Sequence, residues 1–107
     1  MTQTRELFRI PINRTGRLRI AADSVPCQVV DLTEKGFRLR LERAVTTGEV
    51  LHLEFALTEQ ESLACTVKVT YARPPLFGAL IAGISPHHQT VLCRFIDQIN
   101  ALSMTVF

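Results

Sequence analysis

Two arginines, Arg5 and Arg9, stand near the start of the chain, and Asp31, Thr33 and Gly36 follow in the run Asp31-Leu32-Thr33-Glu34-Lys35-Gly36. Guanidinium forks match phosphate oxygens and the O6/N7 edge of guanine. A carboxylate accepts hydrogen bonds from the N1–H and N2 amino donors on the opposite edge of that base. A hydroxyl and a glycine beside the carboxylate add a donor and room for close approach in a tight turn. This set of groups answers the needs of a guanine nucleotide.

The elements that must hold these groups are mostly strands. Residues 1–13 have no clean apolar period, and Pro11 and Asn13 interrupt the run Phe8-Arg9-Ile10-Pro11-Ile12, which predicts an extended, mobile arm. A turn or bulge at Arg14-Thr15-Gly16-Arg17 then opens a first strand with Leu18, Ile20 and Ala22 on one face. A compact turn is expected at Asp23-Ser24, and a second strand over Val25 to Val30, with Pro26 near its start. Asp31 to Lys35 reads as the connecting turn, closed by Gly36. Beyond it, Phe37, Leu39 and Leu41 alternate with Arg38, Arg40 and Glu42. Leu51, Leu53, Phe55 and Leu57 mark a fourth strand. A fifth carries Leu63, Cys65, Val67, Val69 and Tyr71 on one face, and a sixth spans Phe77 to Ile84. Ser85 followed by Pro86 is a helix start, a hydroxyl cap ahead of a proline preset for the first turn. Val91, Leu92, Phe95, Ile96, Ile99 and Leu102 follow at helical spacing, and the tail Met104-Thr105-Val106-Phe107 is apolar and expected to pack back. Six short strands with short turns favour a closed antiparallel β-barrel, which leaves no exposed edge, with the C-terminal α-helix covering one end.

The order and spacing of the two motif halves resemble those of the PilZ domain, the bacterial receptor module for cyclic di-GMP. That family is marked by Arg-x-x-x-Arg, matched by Arg5 and Arg9, and by (Asp/Asn)-x-Ser-x-x-Gly, matched by Asp31, Thr33 and Gly36. Thr33 stands where serine is usual and keeps the hydroxyl; Thr4 stands where many members carry a further arginine. The resemblance implies a PilZ-like barrel over residues 14–107, entered by an arm, residues 1–13, that carries Arg5 and Arg9. It implies cyclic di-GMP held by Arg5, Arg9, Asp31, Thr33 and Gly36, and no cofactor or metal. Arg38 and Arg40 read first as solvated residues of the outer strand face, from which one could reach a phosphate because they leave the motif turn directly. The expected role is a non-catalytic receptor that signals to a separate downstream protein when its arm becomes ordered. The alternative is a divergent PilZ-type interaction module of pilus or motility machinery that binds no nucleotide.

Composition narrows the classes. The chain has 107 residues, enough for one domain with one core, and its hydrophobic fraction of 47% is that of a globular protein. The net charge of +2 is too small to argue for DNA or RNA binding, although Arg5, Arg9, Arg14, Arg17 and Arg19 crowd the first fifth with Glu6 as the acidic neighbour. A single-strand-binding barrel would want aromatic platforms among its basic residues, and here there is no Trp and one Tyr. Cys27, Cys65 and Cys93 are an odd set without a Cys-x-x-Cys pair, which disfavours disulfides and zinc and suggests reduced thiols. With no signal-like or membrane-spanning apolar run, a cytoplasmic location is expected. His87 and His88 are adjacent on a helix, about 100° apart, and read as surface residues. Ser24, His52 and Asp97 are brought together by nothing in the pattern, and no nucleophile elbow or phosphate-binding glycine loop occurs.

Overall fold

The computed structural model of the protein describes residues 9–104. It contains β1 (Ile10–Ile20), β2 (Asp23–Leu32), β3 (Gly36–Arg40), β4 (Val50–Ala56), β5 (Ser62–Arg73), β6 (Leu76–Ile84) and α1 (Pro86–Met104). All neighbouring strands are antiparallel, and the sheet closes in the order β1-β2-β3-β6-β5-β4. Closure lets one face of every strand meet a common interior. Leu18, Val29, Leu39, Leu53, Leu63, Val67 and Phe77 are essentially sealed there, and Phe37 meets Phe55 edge to face at 5.7 Å.

Ser85 Oγ accepts the His88 amide at 3.2 Å and caps α1. Val91, Leu92, Phe95 and Ile96 press into the core and Ile99 packs at its margin, so the helical stripe seals the barrel near β5. Leu102, at the far end of that stripe, is 64% exposed and does not join the core. His88 is less of a surface residue than expected, since its Nδ1 lies 3.1 Å from the Ala64 carbonyl and ties the helix start to β5. The apolar tail after Met104 lies outside the described residues.

Several boundaries differ from the sequence-based expectation. β1 begins at Ile10, so residues 10–13, expected within the arm, belong to the barrel. Ile10 and Ile12 are buried, and Ile10 and Pro11 pair with Leu32 and Asp31. Pro11 and Asn13 disguise this strand because the register shifts between Pro11 and Arg14, where Asn13 takes a left-handed φ of 59°. The first hairpin turns at Ala21-Ala22 and not at Asp23-Ser24, because Ile20 pairs with Asp23; Ala22 is exposed. Finally, Asp31 sits within β2 and not in the following turn, and Tyr71, expected inside, is 37% exposed.

Candidate functional site

The positions of Asp31 and Tyr71 have one cause. Val29 pairs with Leu39 and points inward, but Asp31 pairs with Arg38, so Val30 is an extra residue that turns Asp31 to the outer face. In β5, Val69 pairs with Ala79 and Tyr71 with Gly78, so Thr70 is the matching extra residue. The two bulges align Asp31, Arg38, Gly78 and Tyr71 in one row across β2, β3, β6 and β5. A strict two-residue period would have placed Asp31 and Tyr71 in the interior.

The row is tightly coupled. Arg38 holds one oxygen of Asp31 with two nitrogens: Nε lies 2.9 Å and Nη2 2.6 Å from Oδ2. The other oxygen, Oδ1, faces Arg9, whose Nε is 3.9 Å away. Asp31 is 4% exposed although it lies outside the barrel wall, because its neighbours cover it. A shielded carboxylate needs such charge-assisted partners. Its hydrogen bond, then its charge, raises the Arg38 pKa above the ordinary arginine value, with smaller contributions from Tyr71.

Thr33 organises the turn between β2 and β3. Its Oγ1 accepts the amides of Lys35 at 3.1 Å and Gly36 at 3.2 Å, while its own amide donates to the Gly36 carbonyl at 2.9 Å. The hydroxyl hydrogen is left to donate elsewhere. Gly36 is required by the barrel itself, because a Cβ there would run into the Ala79 carbonyl oxygen of β6. Gly78 carries a similar constraint, since its Cβ would overlap the Tyr71 ring lying across it.

These groups line a cavity of about 120 Å³ that includes Arg9, Asp31, Thr33, Gly36, Arg38 and Tyr71, with Leu80 forming an apolar rim. Pockets that enclose a whole small molecule run to about 300 Å³ or more. This one can seat a base or a phosphate, while the rest of a larger ligand lies over the surface. It offers guanidinium and hydroxyl donors, one available carboxylate oxygen and an aromatic face. The sequence motifs therefore converge in space, with Arg9, Asp31, Thr33 and Gly36 around one opening and Arg38 beside them. Arg40 is exposed on the same face of β3, two residues beyond Arg38, and does not line the cavity. Arg5 lies outside the described residues. Tyr71, Gly78 and Leu80 are additions that the sequence did not announce; the signal available was a tyrosine at the end of an apolar alternation, facing a glycine across a hairpin.

Among the described residues there is no cluster of metal-binding side chains, and no helix is long and apolar enough to cross a membrane. Burial pushes the Cys27 thiol up to about 11 and the Cys65 thiol up to about 12, which keeps both protonated at neutral pH.

The structure is thus a closed six-stranded barrel with a basic, carboxylate-bearing cavity on its outer wall. The family model of the PilZ domain matches residues 3–98, and the chain belongs to that family of regulatory receptor and adaptor modules. No curated protein matches the sequence. The fold is similar to that of the Bacillus subtilis inhibitor of motility MotI/DgrA, with a TM-score of 0.74 and 16% identity over 92% of this chain and 53% of that one. It is also similar to YcgR from Escherichia coli in complex with c-di-GMP, with a TM-score of 0.77 and 16% identity over 95% of this chain and 48% of that one. The chain thus spans about half the length of each of these two solved proteins.

Proposed function

We propose that this protein is a receptor for cyclic di-GMP that passes the signal to a separate partner protein. The observation that carries this reading is the meeting of the two motif halves: Arg9 reaches Asp31 Oδ1 at the mouth of the cavity formed with Thr33, Gly36 and Tyr71. The ligand joins two guanines to two phosphates, and these groups answer both parts. Oδ1 of Asp31 accepts from the N1–H and N2 donors of one guanine, and the Thr33 hydroxyl adds a donor beside it. Arg9 and Arg5 take phosphate oxygens or the O6/N7 edge. The Tyr71 ring offers a face to the base.

Pairing of Ile10 and Pro11 with β2 fixes where the arm leaves the barrel, directly beside the cavity. Contacts from Arg5 and Arg9 then order the segment ahead of Ile10 over the ligand and change the surface offered to the partner. The ligand shifts that equilibrium only by its differential affinity for the two arrangements. No catalytic step belongs to this role. Titration calorimetry with cyclic di-GMP, GTP and linear pGpG is the direct test. Saturable heat with cyclic di-GMP alone is expected; absence of heat up to high micromolar ligand would leave the nucleotide-independent interaction module as the reading.

A further inference from the structure

We infer that Arg38 serves this site as a positioning residue acting through Asp31, and not as a phosphate contact. This inference rests on the cyclic di-GMP reading above. Both Nε and Nη2 of Arg38 converge on Oδ2 of Asp31, at 2.9 Å and 2.6 Å. Nε and Nη2 form the side-on fork of the guanidinium, one of the two with which arginine grips phosphate or guanine, and here that fork is already engaged. Gripping Oδ2 alone fixes the carboxylate plane and leaves Oδ1 directed at the cavity mouth, where Arg9 stands 3.9 Å away. The free energy of ordering that carboxylate is then met before any ligand arrives, which is preorganisation.

The surroundings support the assignment. Arg38 is held between Asp31 on one flank and Tyr71 on the other, in the row that pairs Asp31 with Arg38, Arg38 with Gly78, and Gly78 with Tyr71. The missing side chain at Gly78 lets the Tyr71 ring lie over β6. Tyr71 also favours the charged form of Arg38. An arginine placed to meet ligand phosphates would keep its fork free, as Arg9 does with its long, exposed contact.

The test is a double-mutant cycle on the full chain: wild type, Arg38→Ala, Asp31→Ala and the double variant, each titrated with cyclic di-GMP and each melted without ligand. Arg38→Ala should weaken binding about tenfold or more, the range for losing a hydrogen bond to a charged group. In the Asp31→Ala background the same change should alter affinity by less than about twofold, because the group it acts through is gone. Arg38→Lys restores charge without the two-nitrogen grip and should fall between wild type and Arg38→Ala. An equal, additive loss in both backgrounds would place Arg38 on the ligand and overturn the inference. The melting data separate the two levels of argument. Strong coupling between positions 31 and 38 in the ligand-free protein supports the hold of Arg38 on Asp31, and additive melting shifts refute it. Wild-type protein that melts as a coupled pair but binds no cyclic di-GMP would overturn the receptor reading instead.

Discussion

The Tyr71 ring occupies the space that a side chain at Gly78 would need, so the aromatic wall of the cavity exists because residue 78 is glycine. This contact joins β5 to β6 at the row that also carries Arg38 and Asp31. Aromatic side chains laid over a cross-strand glycine cover backbone that would otherwise be bare, and they fix the local register.

Gly78→Ala is therefore expected to displace the Tyr71 ring. It should lower stability by about 1–3 kcal/mol, the cost of overpacking a close contact, and weaken cyclic di-GMP binding at the same time. Pairing it with Tyr71→Ala relieves the clash, so the double variant should be more stable than the sum of the single losses. Chemical denaturation of the four proteins checks this; additive losses would mean that the ring does not rest on Gly78.

Arg9→Ala should reduce cyclic di-GMP affinity by about 1–3 kcal/mol, the value of a lost bidentate contact to a guanine edge. The ligand-free melting temperature should hardly move. The Arg9 contact to Asp31 is 3.9 Å long and its side chain is 56% exposed, a setting in which ion pairs add little stability. Calorimetry and a melt on the same sample separate the two effects. A large apo destabilisation with unchanged affinity would make Arg9 structural.

Thr33→Ser should retain both binding and stability, since the hydroxyl that accepts the Lys35 and Gly36 amides survives. Thr33→Val keeps the shape but removes that acceptor, and should destabilise the protein by about 1 kcal/mol or more while weakening binding. Urea unfolding and ligand titration of the pair read this directly, and indistinguishable variants would show that the hydroxyl is idle.

The buried thiols give a pH dependence with a definite sign. Cys27 and Cys65 titrate near 11 and 12 in the folded protein against an ordinary value of 9.0. The folded state thus keeps protons that the unfolded chain has released. Their stabilising contribution is complete below pH 9 and declines as pH rises from there toward the folded values. Cys93 is only half-buried, so mild thiol alkylation of native protein at neutral pH should modify it first. Peptide mass mapping checks the order; rapid labelling of Cys27 or Cys65 would contradict their burial.

Ala21 holds a left-handed φ of 55° on an exposed turn, a conformation that costs an L-residue roughly 1–2 kcal/mol. Ala21→Gly should recover part of this and raise the melting temperature by a few degrees, about what 0.5–1 kcal/mol produces in a domain of this size. Thermal melts decide the sign, and a lower melting temperature would mean that chain entropy outweighs the relief.

Much of this protein could be read from local order. Alternation places Phe37, Leu39 and Leu41 inside, as it does Leu51, Leu53, Phe55 and Leu57, because each strand exposes one face to a shared apolar interior. The change to helical spacing after Ser85-Pro86 located α1 for the same reason. The Arg9 and Asp31-Thr33-Gly36 pattern identified groups that do line one cavity. What the tertiary structure alone decided is which way the two ends of that pattern point. Bulges at Val30 and Thr70 reverse the parity of β2 and β5, carrying Asp31 and Tyr71 to the outer wall, and a left-handed Asn13 lets β1 start at Ile10. An extra residue in a ladder leaves almost no trace in hydrophobic period, because its placement depends on the partner strand's register. The grip of Arg38 on Asp31 and the cover of Tyr71 over Gly78 are products of that register within the β2–β3 and β5–β6 hairpins, and the pairing of β3 with β6 sets the two contacts side by side in one row.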